Sequence, residues 1–339
     1  MKIPAGPAGL TEGDLIATGR SITDLQLPSG MIQWFPGGHA DPWNHVEAAM
    51  ALATVGQIDA AERAYQWLVD IQLPNGAWHN YYLADGIEDA KLDSNCVAYL
   101  ATGVWHHYLA TGDAAFVERL WPTVEAAVEF VLDLQTRRGE IIWARHSDGH
   151  PWSYALLTGS SSIAHSIGCA VSVADLAGHP RPRWAEARAR LVDVIANQPE
   201  AFEPKDRWAM DWYYPFLGGA LTGDAAVKRL DDGWETFVME GKGVRCVSDR
   251  PWVTAAETCE CAIAALAAGD RERAEHLFAW AQELRHDDGS YFTGLVFPER
   301  IHFPDNERSS YTAAAVILAA DALVGENPTS TLFTDHDPV

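Results

Sequence analysis

The sequence predicts an all-α protein, an (α/α)6 toroid of six helical hairpins with inner and outer helix rings. Three observations predict it. First, a glycine separating an apolar stretch from a charged one recurs at Gly56, Gly112, Gly178, Gly223, Gly269 and Gly325, at intervals of about 45 to 66 residues. Glycine at such a place supplies the left-handed residue that closes a helix, and repetition on this scale signals a solenoid or a closed toroid. Second, the stretches before the glycines are rich in Ala, Gly, Ser, Cys and Leu, whereas those after five of them are amphipathic and charged. An apolar inner ring inside an amphipathic outer ring follows. Third, the inner-to-outer turns are short, and the outer-to-inner links are long and full of Trp, Tyr, His and Asp. Every long link therefore lies at one end of the toroid, above the N-termini of the inner helices, and shapes a bowl there.

Each element has its own signal. Helix one covers Thr11 to Leu27. Helix two opens at Asp41-Pro42, an N-cap followed by proline in the first turn, and runs to Gly56. Helix three, Ile58 to Gln72, alternates apolar and charged faces at helical spacing. Helices four and five span Asp93 to Gly112 and Ala114 to Gln135. Helices six and seven span Ser160 to Ala177 and Trp184 to Asn197. Helix eight starts at Asp211 and helix nine follows Gly223. Helix ten is Thr254 to Ala268, helix eleven Arg271 to Arg285 and helix twelve Ser309 to Leu323. Residues 1–327 read as one catalytic toroid and 328–339 as a poorly ordered tail.

Composition narrows the function. Net charge is −23, from 47 acids against 24 bases, so the surface repels nucleic acid and anionic lipid but not neutral sugars. The 14 Trp, 10 Tyr and 11 Phe need a large core or an aromatic-lined cleft. Five cysteines at no framework spacing read as reduced thiols of a cytoplasmic protein. No apolar stretch is long enough to span a membrane, and the N-terminal residues show no signal-peptide core. Cys259 and Cys261 lie two apart on a helix and diverge, so no metal site is expected. No P-loop, G-x-G-x-x-G or G-x-S-x-G occurs, and no cofactor is expected.

The starts of the inner helices supply the candidate site. Helix two offers Asp41, Trp43, Asn44, His45 and Glu47; helix four offers Asp93; helix eight offers Asp211 and Tyr213. Helix ten offers Trp252, Glu257 and Glu260, and helix twelve offers Tyr311. Asp41, Asp93 and Asp211 each stand at a plausible N-cap, which alone accounts for an Asp. Thr254-Ala-Ala-Glu257 reads as a capping box. Convergence of six helix N-termini favours a second role for these acids. Glu257 and Glu260 share one otherwise apolar helix face, where burial raises a carboxyl pKa as a general acid requires. Asp41 and Glu257 form the expected catalytic pair for glycoside cleavage, with Glu260 beside them, and either is open to the acid or the base role. Trp43, Asn44, Trp78, His79, Tyr82, Asp93, Arg145, Asp211, Tyr213, Trp252 and Tyr311 are the expected sugar contacts.

Two resemblances bear on this reading. Gln72-Leu-Pro-Asn-Gly76-Ala-Trp78 is similar to the Q-x-x-x-G-x-W repeat of terpene cyclases and prenyltransferase-like α-toroids, with looser copies at Gln26, Gln135 and Arg285. The D-x-D-D signature of the protonating cyclases is absent, and Asp231-Asp232 falls on an outer helix. The chain as a whole resembles an actinobacterial family of (α/α)6 proteins, often labelled prenyltransferase-like, most clearly over Trp34-Phe-Pro-Gly-Gly-His-Ala-Asp-Pro-Trp-Asn-His-Val-Glu-Ala-Ala-Met-Ala-Leu52. That family includes hydrolases of 3-O-methylmannose polysaccharide. The resemblance implies a cytosolic endo-acting glycoside hydrolase on α-1,4-linked methylated mannose, inverting by analogy with other (α/α)6 glycosidases. It places acids near Asp41 and Glu257, with Asn44 where a second Asp would complete D-P-W-D. A terpene cyclase, a sugar epimerase with paired His bases and a non-catalytic carbohydrate-binding toroid are the other readings of the same architecture.

Overall fold

The computed structural model of the chain describes residues 1–336. Twelve α-helices carry the described fold: α1 (Glu12–Thr23), α2 (Pro42–Thr54), α3 (Ile58–Ile71), α4 (Ser94–Thr111), α5 (Ala114–Leu132), α6 (Leu157–Leu176), α7 (Pro182–Asn197), α8 (Ala209–Leu217), α9 (Gly223–Phe237), α10 (Ala255–Ala267), α11 (Arg271–Ala281) and α12 (Ser310–Val324). The even-numbered helices pack side by side in a closed cycle, α12 meeting α2 as well as α10. They are buried almost all round, as their Ala-rich sequences require. The outer helices α3, α7 and α9 bury one face each. This is the (α/α)6 toroid that the glycine periodicity predicts.

Gly56, Gly112, Gly178, Gly269 and Gly325 all take positive φ at the inner-helix ends. Gly223 does so too, but as the first residue of α9; α8 ends at Leu217, six residues earlier than its mark suggests. Gly218-Gly219 ends it there, Gly219 taking the positive φ that closes a helix.

The long links are not all loop. Short strands β1 (Tyr81–Leu83) and β2 (Gly86–Asp89) form a hairpin, and β3 (Leu92–Asp93) pairs with β4 (Ala144–Arg145). Strands β5 (Val238–Met239), β6 (Gly243–Arg245), β7 (Trp252–Thr254), β8 (Phe292–Val296) and β9 (Ile301–Arg308) form one antiparallel sheet in chain order. The helical periodicity gives no hint of this sheet, because its strands are two to eight residues long and draw their stability from the ring beneath.

The looser repeats prove to be rim clamps. Gln72 Nε2–H donates to the carbonyls of Gly76 and Thr123, both at 2.9 Å. Gln135 makes the same pair of bonds to Gly139 and Ala187, and Gln26 to Gly30 and Ala60. Each glutamine thus ties the end of one outer helix to the next outer helix. A side chain at Gly76 would collide with the Ala126 carbonyl, and one at Gly30 with the Arg63 carbonyl. Trp78 belongs to this seal. It is fully buried and its indole N–H donates to the Leu68 carbonyl at 2.8 Å, so it is not the sugar contact that its sequence context suggests.

The segment expected to be a loose tail is packed where the structure describes it. Pro328–Thr331 forms a 3-10 turn with Thr329 and Ser330 buried. Phe333 stacks on His165 of α6 (centroids 4.7 Å apart), and His336 lies against Gly219. The ends of the chain also meet, since Asn327 accepts the Lys2 N–H and donates to its carbonyl. Residues 337–339 lie outside the described residues.

Gly76→Ala combines a positive-φ cost of about 1–2 kcal/mol with overpacking of about 1–3 kcal/mol, whereas Gly56, whose added Cβ would meet open space, bears only the first. Urea unfolding of the two variants is expected to show the larger loss for Gly76→Ala.

Candidate active site

The inner helices all present their N-termini to the bowl, so site positions can be counted inward from each N-cap. The N-caps are Asp41, Asp93, Leu156, Trp208, Thr254 and Ser309. Three positions inward come Asn44, Asp211 and Glu257, and six inward come Glu47, Tyr99, Ser162, Tyr214 and Glu260. The first level is the floor of the bowl. The second lies on the axis beneath it.

Asp41 is held by three N–H groups. Its Oδ1 accepts the Asn44 backbone N–H (3.0 Å), and its Oδ2 accepts Trp34 Nε1–H (2.7 Å) and Asn44 Nδ2–H (2.8 Å). Burial raises its pKa, and these donors, which bond best to the charged form, pull against that shift. The proline at the next position suits the first turn of α2, and the Asp41 side chain itself is buried. Trp34 lies edge-on to Tyr311 (4.8 Å) and Tyr81 (5.9 Å), and Tyr81 stacks on His39 (4.3 Å). An aromatic collar therefore surrounds Asp41.

Glu257 stands in the first turn of α10 with an accessible edge. The expected capping box is not formed: Thr254 makes no cap bond to the backbone, and its hydroxyl donates to the Glu257 carboxylate instead. Burial pushes the Glu257 pKa up, opposed by that bond. The Tyr311 hydroxyl senses the Glu257 charge while its ring touches Trp34. Tyr311 thus connects the surroundings of the two carboxyls.

Glu260, grouped with the catalytic acids by sequence, lies one level deeper. It accepts hydroxyls from Tyr213 and from Tyr214 (2.9 Å). Facing it is Glu47, which accepts Trp43 Nε1–H (2.9 Å) and the Tyr99 hydroxyl (3.1 Å). Burial raises Glu260 to about 7, and burial with the neighbouring Glu260 charge raises Glu47 well above its ordinary value. Each carboxyl thus disfavours the charged form of the other. Beneath them is a cavity of about 30 Å3, lined by Ser162, His165 and Phe333 as well as the pair, and large enough for ordered water. Trp43 touches Tyr99 and Tyr214 (5.8 and 5.7 Å) and rests on this buried group.

Several expected sugar contacts have structural duties instead. Asp93 caps α4 through the Asn95 and Cys96 N–H groups. Asp211 is the third residue of α8, not its cap, and accepts the Thr158 hydroxyl (2.6 Å) and N–H from neighbouring α6. Tyr213 is fully buried on Glu260. Arg145 pairs with Asp133 and lies over the Phe130 ring (5.5 Å), turned toward the outer ring. His79 Nδ1 meets the Ala90 carbonyl, and its N–H donates to the Tyr82 hydroxyl. Strand alternation buries Tyr82 against Trp67 and leaves its neighbour Tyr81 on the Asp41 side. Asn44, Trp43, Trp252 and Tyr311 keep accessible surface. Asp41, Asn44, Glu257 and Tyr311 lie around the same bowl; Glu47, offered by the start of helix two without an assigned role, lies at the deeper level, and Trp34 and Trp208 are bowl residues that sequence reasoning did not assign. Glu47 carried a readable signal, an acid with no base nearby in an Ala-rich helix and four residues after a tryptophan.

No family model matches the chain. The chain is 50% identical over 335 residues to the MMP endo-(1,4)-3-O-methyl-α-D-mannosidase of Mycolicibacterium hassiacum, covering 99% of this chain and 93% of that enzyme. The chain belongs to that family of glycoside hydrolases. Among solved structures, a wild-type glycosidase superposes with a TM-score of 0.72 at 14% identity over 93% of this chain and 96% of its own. The cellobiose 2-epimerase of Spirochaeta thermophila does so at 0.68 and 12%, over 93% and 96%. At these identities the likeness shows a shared toroid.

The alternative chemistries lack their groups. Asp231 and Asp232 pair with Arg273 and Lys228 on the outer surface, far from a diphosphate site. His165 is stacked on Phe333 beneath the floor, and His45 is locked between the Ile32 N–H and the Ala64 carbonyl, so neither offers an epimerase base to the bowl. Among the described residues no cluster of ligating side chains could hold a metal ion, and no helix is long and apolar enough to cross a membrane.

Glu260 binds its proton more tightly folded than unfolded, where its ordinary value is 4.5. Its contribution to stability is therefore present below that value and lost as pH rises toward 7. Melting curves from pH 4.5 to 7.5 are expected to show wild type losing stability relative to Glu260→Gln across this range.

Proposed function

We infer that the chain cleaves internal α-(1,4) linkages of a 3-O-methylmannose polysaccharide with inversion, using Glu257 as general acid and Asp41 as general base. The near-full-length identity to an enzyme named for that bond carries the substrate assignment. The roles follow from unequal hydrogen bonding. Burial raises both carboxyls, but three N–H donors oppose that shift at Asp41, whereas the Thr254 hydroxyl is the side-chain donor opposing it at Glu257. Glu257 gives its proton to the departing glycosidic oxygen. Water attacks the anomeric carbon from the opposite face and gives its proton to Asp41, while Asn44 orients that carboxylate. O-methyl groups make the substrate less polar than an ordinary mannan, which suits an aromatic collar. The acidic surface disfavours nucleic acid as a partner. Five free cysteines suit the reducing cytoplasm as the place of action.

Purified methylmannose polysaccharide and unmethylated α-mannan should be incubated with wild type, Asp41→Asn and Glu257→Gln, and the products sized. Wild type is expected to give shorter oligosaccharides from the methylated polymer, with kcat about 10²–10⁴-fold lower in each variant. Intact polymer in every tube would overturn the reading. For wild type, kcat/KM is expected to fall as pH rises through the elevated pKa of Glu257, since the acid must be protonated.

A further inference from the structure

Exposed tryptophans are costly unless something covers them, and this chain has two at the same side of the bowl. Trp208 is 46% exposed and Trp252 is 37% exposed. Trp208 is the N-cap of α8, the position that Asp41 and Thr254 hold in α2 and α10. Its backbone forms a bridge with Val247, while the neighbouring Cys246 N–H donates to the Trp252 carbonyl at 3.0 Å. One short ribbon therefore carries both indoles. Trp252 and Thr254 are two apart in β7, so their side chains share one face of the sheet. The Thr254 hydroxyl on that face is bonded to Glu257, and the Cys246 thiol, part of the same ribbon, senses the Glu257 charge.

The sheet is shaped to extend this surface. Phe303 of β9 lies beside Trp252 with ring centroids 5.6 Å apart. Its ring occupies the space above Gly294, where any side chain would collide with it. Arg207 and Arg250 lie over the Trp208 and Trp252 rings at 5.6 and 5.9 Å, holding the indoles while leaving them accessible. An apolar face that continues from the proposed general acid can receive the sugar beyond the cleaved bond. Indole faces stack on the C–H faces of pyranose rings, and added methyl groups enlarge the apolar area that stacking removes from water.

We propose that Trp252 and Phe303, with Trp208 across the mouth of α8, form a leaving-side subsite that binds the O-methylated sugars following the cleaved bond. The subsite rests on Glu257 being the general acid, because the acid serves the departing sugar. It makes the leaving side, not only the site of bond breakage, select for methylation.

The test compares two substrates of wild type, Trp252→Ala and Trp208→Ala. Both side chains are exposed, so truncation leaves the fold intact. One substrate is the methylated polysaccharide. The other is the α-fluoride of a methylmannose oligosaccharide, whose leaving group has no sugar to stack. Each variant is expected to raise KM for the polymer about three- to tenfold, the worth of one aromatic stack, and to narrow the preference for methylated over unmethylated polymer. Hydrolysis of the fluoride is expected to stay at the wild-type rate. Equal losses on both substrates, or no loss on either, would overturn the subsite. Should wild type cleave neither substrate, the hydrolase reading fails by itself. Calorimetric binding of the methylated oligosaccharide to wild type and Trp252→Ala then decides the subsite, with unchanged affinity rejecting it.

Discussion

Six inner helices pointing the same way put six sets of unpaired backbone N–H groups around one opening. The rest of the molecule follows from that arrangement. The partial positive charge of a helix N-terminus favours carboxylates there, and so a protein with a net charge of −23 still gathers acids at its most enclosed point. Asp41 and Asp93 spend their carboxylates on these N–H groups. Glu257, on a helix whose cap residue bonds the side chain instead, is left with the weaker partner. The two carboxyls thus differ in how they are held because two helix starts differ.

Moving inward along the axis, the groups that answer the acids change. At the floor, backbone donors and hydroxyls answer single carboxyls. One level down the helix termini no longer reach, and Glu47 and Glu260 are answered by the phenols of Tyr99, Tyr213 and Tyr214 and by the Trp43 indole. Burial and mutual repulsion, with no positive charge among these partners, favour the neutral form of the acids there. Trp43 joins the levels, since its ring lies between the aromatic residues of the deeper one and its N–H ends on Glu47. The floor of the bowl is therefore fixed from below by a polar group that contacts no part of it directly except through this indole.

Much of this was legible in the sequence, for a definite reason. The toroid is built from local signals, a glycine, a cap and an apolar run, repeated until the ring closes, so its helix starts could be read one at a time. Asp41, Glu257, Asn44 and Tyr311 could be placed at the bowl from the sequence because they stand at helix starts. The misassigned residues share a cause too. Trp78, Arg145 and Tyr82 lie in links whose side chains are directed by packing between distant elements, as the Gln72 clamp on Thr123 illustrates. Glu47 and Glu260 meet only because α2 and α10 face each other across the axis. Nothing in the residues around either one announces the other. In the sheet from Val238 to Arg308, β5, β6 and β7 have two or three residues, too few for alternation to show, and β9 is interrupted by Pro304.

The lower end of the axis carries a consequence for how a polymer is handled. Phe333 closes the cavity under the carboxyl pair and is itself stacked on His165. A glycan cannot pass through the ring like a thread through an eyelet. It has to lie across the mouth, and both fragments of a broken chain leave by the side on which the chain arrived.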